Sequence, residues 1–422
     1  MPLSSLPAPV RLPAHLPDSL VAKAAPTLRL SLRASGPLLV GVSGGGDSVA
    51  LLHLMGVVAP DRLRIAAIVD HALRPESAAE AVAAADIAHG LGAEPVVLRL
   101  DWPHGERRSQ EAARIARHAA LANLARARGA SVLYLGHTRD DQAETVLIRR
   151  QAGSGSFGLA AMSPLSPSPV WPEGRDLRIA RPLLSVSREA LRDHLRREGL
   201  HWIEDPSNEM LRYARVRARR ELRDSAETEG LIEQALASTR LGMTLHGEAR
   251  LAAGLFVRLE GSDAVVHAPL LDHKGGPIAL AALAVAVGAR TRDIPEEAGA
   301  GLLRRLRQDG HTALGGAIFV RKGEQIFVSR DPGGVHGRRG GGKPHPALTL
   351  APGEPVVWDR RLELTAHAPG WTAARAPDGR STAPVFLRDG SPQEPGEAVT
   401  ARWLIDARMS HLLWRGISLP FR

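Results

Sequence analysis

Along the first 150 residues, short continuous apolar runs alternate with longer stretches of helical spacing. Residues 37–42 read as a short buried strand, and the positions Val49, Leu51, Leu52, Leu54 and Met55 as the apolar side of a helix that follows it. A second strand covers residues 63–70 and ends in the polar pair Asp70-His71, with an alanine-rich helix at 77–91 after it. Ser77 and Glu80 stand in capping-box spacing at the start of that helix. A third strand at 95–100, a long helix at 110–128, a fourth strand at 131–135 and a helix at 139–151 complete the alternation. This order predicts an α/β fold, a parallel sheet with helices on both faces. Ligands of such sheets bind beyond the carboxyl ends of the strands. The polar clusters at 43–48, 70–74, 102–108 and 136–144 should therefore meet in one crevice.

The pattern then changes. Residues 153–174 are rich in Gly, Ser and Pro and read as a flap rather than an element. A helix at 187–198, a turn at Asp205-Pro206-Ser207-Asn208 and an arginine-studded helical stretch from Arg212 to about Leu251 follow, with a domain boundary expected near Leu251. Beyond it, residues 311–330 suggest a hairpin about Lys322-Gly323-Glu324, residues 356–359 and 362–365 suggest further strands, and 333–343 read as an exposed glycine-arginine loop. The expected organisation is a loose lead-in at 1–26, a nucleotide-binding domain at 27–220, a helical linker at 221–251 and a smaller mixed α/β C-terminal domain at 252–422. No catalytic constellation stands out in that last part, which suits binding or scaffolding.

Composition narrows the function classes. With 422 residues, 44% hydrophobic and 23% charged, the chain has room for two or three soluble domains. No run of about eighteen apolar residues is present, so no membrane span is expected, and a cytoplasmic location is. The absence of cysteine excludes disulfides, thiolate metal sites and sulfur carriage on a cysteine. The net charge of +9 comes from arginine, since only four of the 54 basic residues are lysines. Arginine gathered on one face would suit a nucleic acid, although genomic base bias would give the same composition.

Ser43-Gly44-Gly45-Gly46-Asp47-Ser48 carries the clearest chemistry. Three glycines between a strand and a helix open backbone N–H groups to an anion at the positive end of the helix dipole. A kinase-type P-loop ends in Gly-Lys-Ser/Thr, and no lysine of this chain precedes Ser or Thr. Asp47 in the corresponding place is suited to Mg²⁺ bridging phosphate oxygens, which describes an enzyme that cleaves ATP to release pyrophosphate. A purely structural glycine turn is the alternative.

This motif resembles the SGGxDS signature of the N-type ATP pyrophosphatases, or PP-loop family, whose fold is adenine nucleotide alpha hydrolase-like. With VDHALRPES at Val69–Ser77, GHTRDDQAETVL at Gly136–Leu147 and DPSN at Asp205–Asn208, the likeness extends to the tRNA(Ile)-lysidine synthetase family within it. It covers residues 38 to about 219, with weaker echoes at 314–323 and 356–364. The resemblance implies a C–N ligase that uses ATP and Mg²⁺. The wobble cytidine of a CAU-bearing isoleucine tRNA is adenylated at C2, and free L-lysine displaces AMP to give lysidine. It also implies a homodimer and a C-terminal domain that binds tRNA.

The same resemblance assigns residues. Ser43, Gly44, Gly45, Gly46, Asp47, Ser48, His71, Arg74 and His137 would hold ATP, with Asp47 on the metal. Asp47, Arg114, Asp141 and Glu144 would be catalytic, the last two contacting lysine. Arg212, Arg215, Arg217 and Arg219 would meet tRNA phosphates. Plainer readings stand beside these. Arg114 and Arg117, three apart, would also suit a solvated helix face, and Thr138 with Asp141 has the spacing of a helix cap. Val216 replaces the asparagine usual in the family's basic run, and His118 its usual tyrosine. A tRNA thiolase on the same fold lacks its cysteines here. A small-molecule ligase, or a silent RNA-binding protein, remains as the alternative.

Overall fold

The computed structural model describes residues 19–72, 76–102, 109–154, 159–160, 162–204, 214–222, 225–338 and 343–414, without the side chains of residues 110, 214–216, 225–226 and 296. The chain forms two compact units. One comprises Met1–Gly242 with Ile417–Arg422, the other Met243–Gly416.

In the first unit the elements run α1 (Ser19–Ser31), β1 (Leu38–Gly41), α2 (Gly46–Val58), β2 (Arg64–Asp70), α3 (Ser77–Gly90), β3 (Glu94–Arg99), α4 (Gln110–Ala127), β4 (Val132–Leu135), α5 (Arg139–Gln151), β5 (Leu165–Pro167), β6 (Arg178–Ala180), α6 (Arg188–Arg197) and α7 (Ala214–Glu221), then α8 (Ser225–Phe256). The sheet order is β3-β2-β1-β4-β6-β5, parallel throughout except for the antiparallel edge strand β5. β1 is central, with Leu39 opposite Ile65 on one side and Leu133 on the other. Its side chains alternate between two cores. Leu38 and Val40 join helices α1, α2, α3 and α6, whereas Leu39 joins Leu121, Ala122 and Ala125 of α4. Helices thus cover both faces. The strand order reverses between β1 and β4, which places the ligand crevice beyond their carboxyl ends.

Several expectations are corrected. The lead-in is helical from Ser19 onward: Leu20, Val21, Ala24 and Leu28 repeat at helical spacing and are buried, which outweighs the bend cost of Pro26. The flap contains β5, and its proline is tolerated because an edge strand needs fewer ladder donors. Ser77 is the first residue of α3, not its cap; its hydroxyl donates to Asp70 at 2.5 Å, and the capping position belongs to Glu76. The single helix expected from Arg212 is two, α7 and α8. The division between the units falls at Met243 inside α8, the helix that covers most of the segment expected as a helical linker.

The second unit has a five-stranded antiparallel sheet, β7 (Val257–Glu260), β8 (Asp263–His267), β11 (Gln325–Arg330), β10 (Ala317–Lys322) and β9 (His311–Leu314) in that spatial order. The expected hairpin is therefore three-stranded, since Gly315 and Gly316 at positive φ divide its first run. Helices Gly276–Val287, Glu296–Gln308 and Ile405–Leu413 share its core. Two smaller sheets, of four and three strands, enclose Trp358, Trp371 and Leu364. Gly333–His336 is a short helix with Val335 fully buried, not an exposed loop. No described helix is long and apolar enough to cross a membrane.

Candidate active site

The glycine loop lies at the carboxyl end of β1 and opens α2. Gly44 sits at φ +82°, and a Cβ there would meet Ile203 Cδ1 at 2.5 Å, so both the backbone angle and the space demand glycine. Gly45 occupies the capping position of α2 with no side-chain cap, which leaves the first N–H groups of the helix to an external acceptor. Ser48 is occupied structurally: its Oγ accepts the Ser43 N–H at 3.1 Å and donates to the Gly45 carbonyl at 2.9 Å. Ser43 is exposed and its Oγ lies 3.3 Å from that of Ser48. The loop after β4 presses against this turn. A Cβ on Gly136 would stand 2.7 Å from the Asp47 carbonyl oxygen.

α5 begins with the cap that its spacing predicts. Asp141 Oδ2 accepts the Thr138 N–H at 2.8 Å and the Thr138 hydroxyl at 2.9 Å, and the Thr138 hydroxyl accepts the Asp141 N–H. The capping does not exhaust Asp141, because Oδ1 accepts Arg188 Nη2 at 3.0 Å. The same guanidinium donates through Nε to Asp47 Oδ2 at 3.2 Å and through Nη1 to Glu144 Oε1 at 3.4 Å. Its backbone N–H donates to Asp140 Oδ2 at 2.8 Å. Glu144 is 1% exposed; Oε1 also accepts Arg219 Nε at 2.9 Å, and Oε2 is buried without a hydrogen bond. A buried carboxylate oxygen in that state costs free energy until a donor arrives.

The charges are tuned unequally. Burial drives the Asp47 carboxyl above the ordinary carboxylate range, and the Arg188 charge only partly offsets this. Burial acts on Asp141 too, but Arg188, His137 and the Thr138 donors outweigh it and hold Asp141 below that range. Burial works against the Arg188 cation, yet Asp141, Asp47 and Glu144 together raise its pKa. A second group of side chains near the site is basic. Burial, then Arg117, lowers His71, which favours its uncharged form. His118 is lowered to about 3 by burial together with Arg117, Arg114, Arg181 and His137. Arg181 is itself lowered to about 10 by burial and the charge of Arg114, and it donates to the Ser163 carbonyl at 2.8 Å and to Ser166 Oγ at 3.0 Å.

The structure thus brings Asp47, Asp141, Glu144 and His137 together beside the glycine loop, with Arg114, Arg117 and His71 on neighbouring elements. Arg217 is exposed, whereas Arg219 contacts Glu144. Arg74 and Arg212, the turn at 205–208 and the side chain of Arg215 lie outside the described residues. Sequence reasoning missed Arg188 and Arg181. One signal for Arg188 was available: it is the first residue of α6 after the capping Ser187, where a cation opposes the helix dipole and calls for nearby acids.

The donors at the loop, the Asp47 carboxylate and the Ser43 hydroxyl, are hard oxygens. They fit Mg²⁺, which takes one or two carboxylates and completes its shell with water and phosphate. Among the described residues no group of three or more His, Asp or Glu is gathered to hold an ion alone.

Residues 20–226 match the PP-loop domain family. A tRNA(Ile)-lysidine synthase of Hyphomonas neptunium is 53% identical over 186 residues, 44% of this chain and 50% of that protein. A tRNA(Ile)-lysidine synthase of Caulobacter vibrioides is 37% identical over 402 residues, 89% of this chain and 90% of that protein. Among solved structures, the U34-tRNA thiolase NcsA from Methanococcus maripaludis with its [4Fe-4S] cluster aligns over 53% of this chain and 77% of that chain, with TM-score 0.43 and 17% identity.

Proposed function

The chain belongs to the tRNA(Ile)-lysidine synthase family, and from that premise we propose that it joins free L-lysine to C2 of the wobble cytidine of an isoleucine tRNA with a CAU anticodon. ATP adenylates the cytidine with release of pyrophosphate, and the lysine ε-amine then displaces AMP. One observation carries the reading: a single guanidinium spans both Asp47, beside the phosphate loop, and the pair Asp141 and Glu144, so the carboxylates of the two half-reactions share one crevice.

The roles follow from the chemistry of each group. The uncapped start of α2 and the glycine N–H groups hold the phosphates. Asp47 holds Mg²⁺, which when bound neutralises phosphate charge. Arg114 is placed to meet the developing negative charge, and His71 and His137 suit hydrogen bonds to the nucleotide. Asp141 and Glu144 receive the cationic amino acid. The ε-amine, with an ordinary pKa of about 10.4, must shed its proton before attack. Glu144 Oε2, buried and without a donor, is suited to hold that ammonium hydrogen. Exposed Arg217 and the basic segment before it supply phosphate contacts on the tRNA.

The test is incubation with radiolabelled lysine, ATP and Mg²⁺, with CAU-bearing isoleucine tRNA in one arm and elongator methionine tRNA in the other. Label in the isoleucine tRNA alone is expected. AMP formation without any tRNA would overturn the reading and point to a small-molecule ligase.

A further inference from the structure

We propose that Arg188 is a resident counter-cation, a positioning residue that makes lysine binding depend on the nucleotide. In the empty enzyme it occupies the carboxylates that receive lysine, and it yields them when Mg²⁺ with ATP engages Asp47. The inference rests on the assignment of Asp47 to the metal and of Asp141 and Glu144 to lysine.

Three observations carry it. First, the guanidinium presents a different nitrogen to each acid: Nε to Asp47, Nη2 to Asp141 and Nη1 to Glu144. A planar fork of fixed shape meets three carboxylates from three directions, so loss of one contact alters its hold on the others. Second, the contacts are graded. Asp141 at 3.0 Å and Asp47 at 3.2 Å are the shorter, whereas Glu144 at 3.4 Å is the longest and is already served by Arg219. Glu144 is the acid most readily passed to another cation, and its Oε2 has no donor to lose. Third, the side chain is only 16% exposed and its backbone N–H donates to Asp140, so the three contacts lie largely out of solvent.

Charge conservation gives the direction. An incoming ammonium carries the same charge as the guanidinium, so lysine and Arg188 compete for the same oxygens, Asp141 Oδ1 and Glu144 Oε1. Were Asp47 engaged by a divalent ion, Arg188 Nε would lose its partner, and the guanidinium would keep two of its three acids and a weaker hold on the cluster. Lysine then replaces it charge for charge. By reciprocity, lysine strengthens nucleotide binding by the same factor. The device lets the amine enter fully only when the nucleotide that activates its target is in place.

The experiment is calorimetric titration of the full chain with lysine, with and without Mg²⁺ and α,β-methylene ATP, which cannot release pyrophosphate. Wild type should bind lysine on the order of tenfold more tightly in the presence of the nucleotide. In Arg188→Gln that ratio should fall toward one, because lysine binding without nucleotide becomes tighter. Circular dichroism checks folding. Should Arg188→Gln fail to fold, Arg188→Lys carries the test, since one ammonium engages fewer acids and the ratio should again fall. An unchanged ratio in a folded variant, or no nucleotide effect in wild type, overturns the proposal while leaving the proposed reaction intact. No lysine uptake by wild type in either condition overturns both.

Discussion

Two buried clusters of arginine and carboxylate, one in each compact unit, are built in opposite proportions. In the second unit one acid serves two cations. Asp359 accepts Arg330 Nε at 3.0 Å, Arg330 Nη2 at 3.1 Å and Arg361 Nε at 2.9 Å. Its backbone N–H donates to His345 Nε2 at 3.1 Å, and the Arg361 guanidinium lies 5.5 Å from the Trp403 ring centroid. In the first unit, by contrast, one guanidinium is shared among three acids, and Glu144 Oε2 is left with no donor. The Asp359 side chain is 3% exposed, that of Asp47 26%. Both oxygens of the single acid are satisfied and the atom left over is a donor, Arg361 Nη1, so that cluster has no acceptor to offer a metal or an amine and holds a core together. The cluster with surplus acid still has capacity for cations, which is the property a site for a metal and an amine requires.

The largest expected effect falls on the saturated cluster. Asp359→Asn keeps the shape and suits the left-handed backbone at φ +43°, but it strands two buried arginines and should cost about 3–5 kcal/mol. Denaturant unfolding followed by tryptophan fluorescence measures it; a loss below about 1 kcal/mol would erase the contrast. Next, Glu144→Gln should lower lysine transfer by on the order of a hundredfold, about 2.7 kcal/mol of barrier, while tRNA-dependent pyrophosphate release persists. Equal loss of both steps would mean that the acid-rich cluster is not divided between two roles.

The two smaller effects have opposite signs. Asp141→Asn weakens the cap and the Arg188 contact and should destabilise by about 1–2 kcal/mol at neutral pH. Because folding holds Asp141 below its ordinary value of about 3.9, this stabilisation exists above that pH and disappears as pH falls through the depressed native value. Folding instead raises Asp47, so its contribution is most favourable below the ordinary value and is lost as pH rises through the native one. Asp47→Asn should therefore melt slightly higher than wild type at neutral pH, with the gap closing in acid, although pyrophosphate release is abolished. Thermal melts across pH check both variants. A lower melting temperature for Asp47→Asn at neutral pH would show that Asp47 belongs to the structural kind of cluster.

Much of the first unit was legible because its signals are local. The glycine loop, the Thr138 cap and the alternation of strands and helices each lie within a few residues. What escaped was long-range. Arg188 meets Asp47, Asp141 and Glu144 across 141, 47 and 44 residues, and no periodicity encodes that. Alone, Arg188-Glu189-Ala190-Leu191 reads as the solvated start of an amphipathic helix. Proline misled twice, at Pro26 and Pro167, where burial and an edge position override its breaking tendency. Arg219 read as a phosphate ligand because the basic run around it has one texture, while packing of α5 on α7 gives this position a carboxylate partner.

Gly136 limits how far such an enzyme could be redesigned. With no room for a methyl group against the Asp47 carbonyl, the strand that delivers His137 and Asp141 is seated directly on the turn that delivers Asp47. Moving that loop to enlarge the proposed amine pocket would displace Asp47 as well. If Glu144 receives the amine as proposed, Arg219, which donates to Glu144 Oε1 and does not touch that seam, is the side chain to vary for altered selectivity.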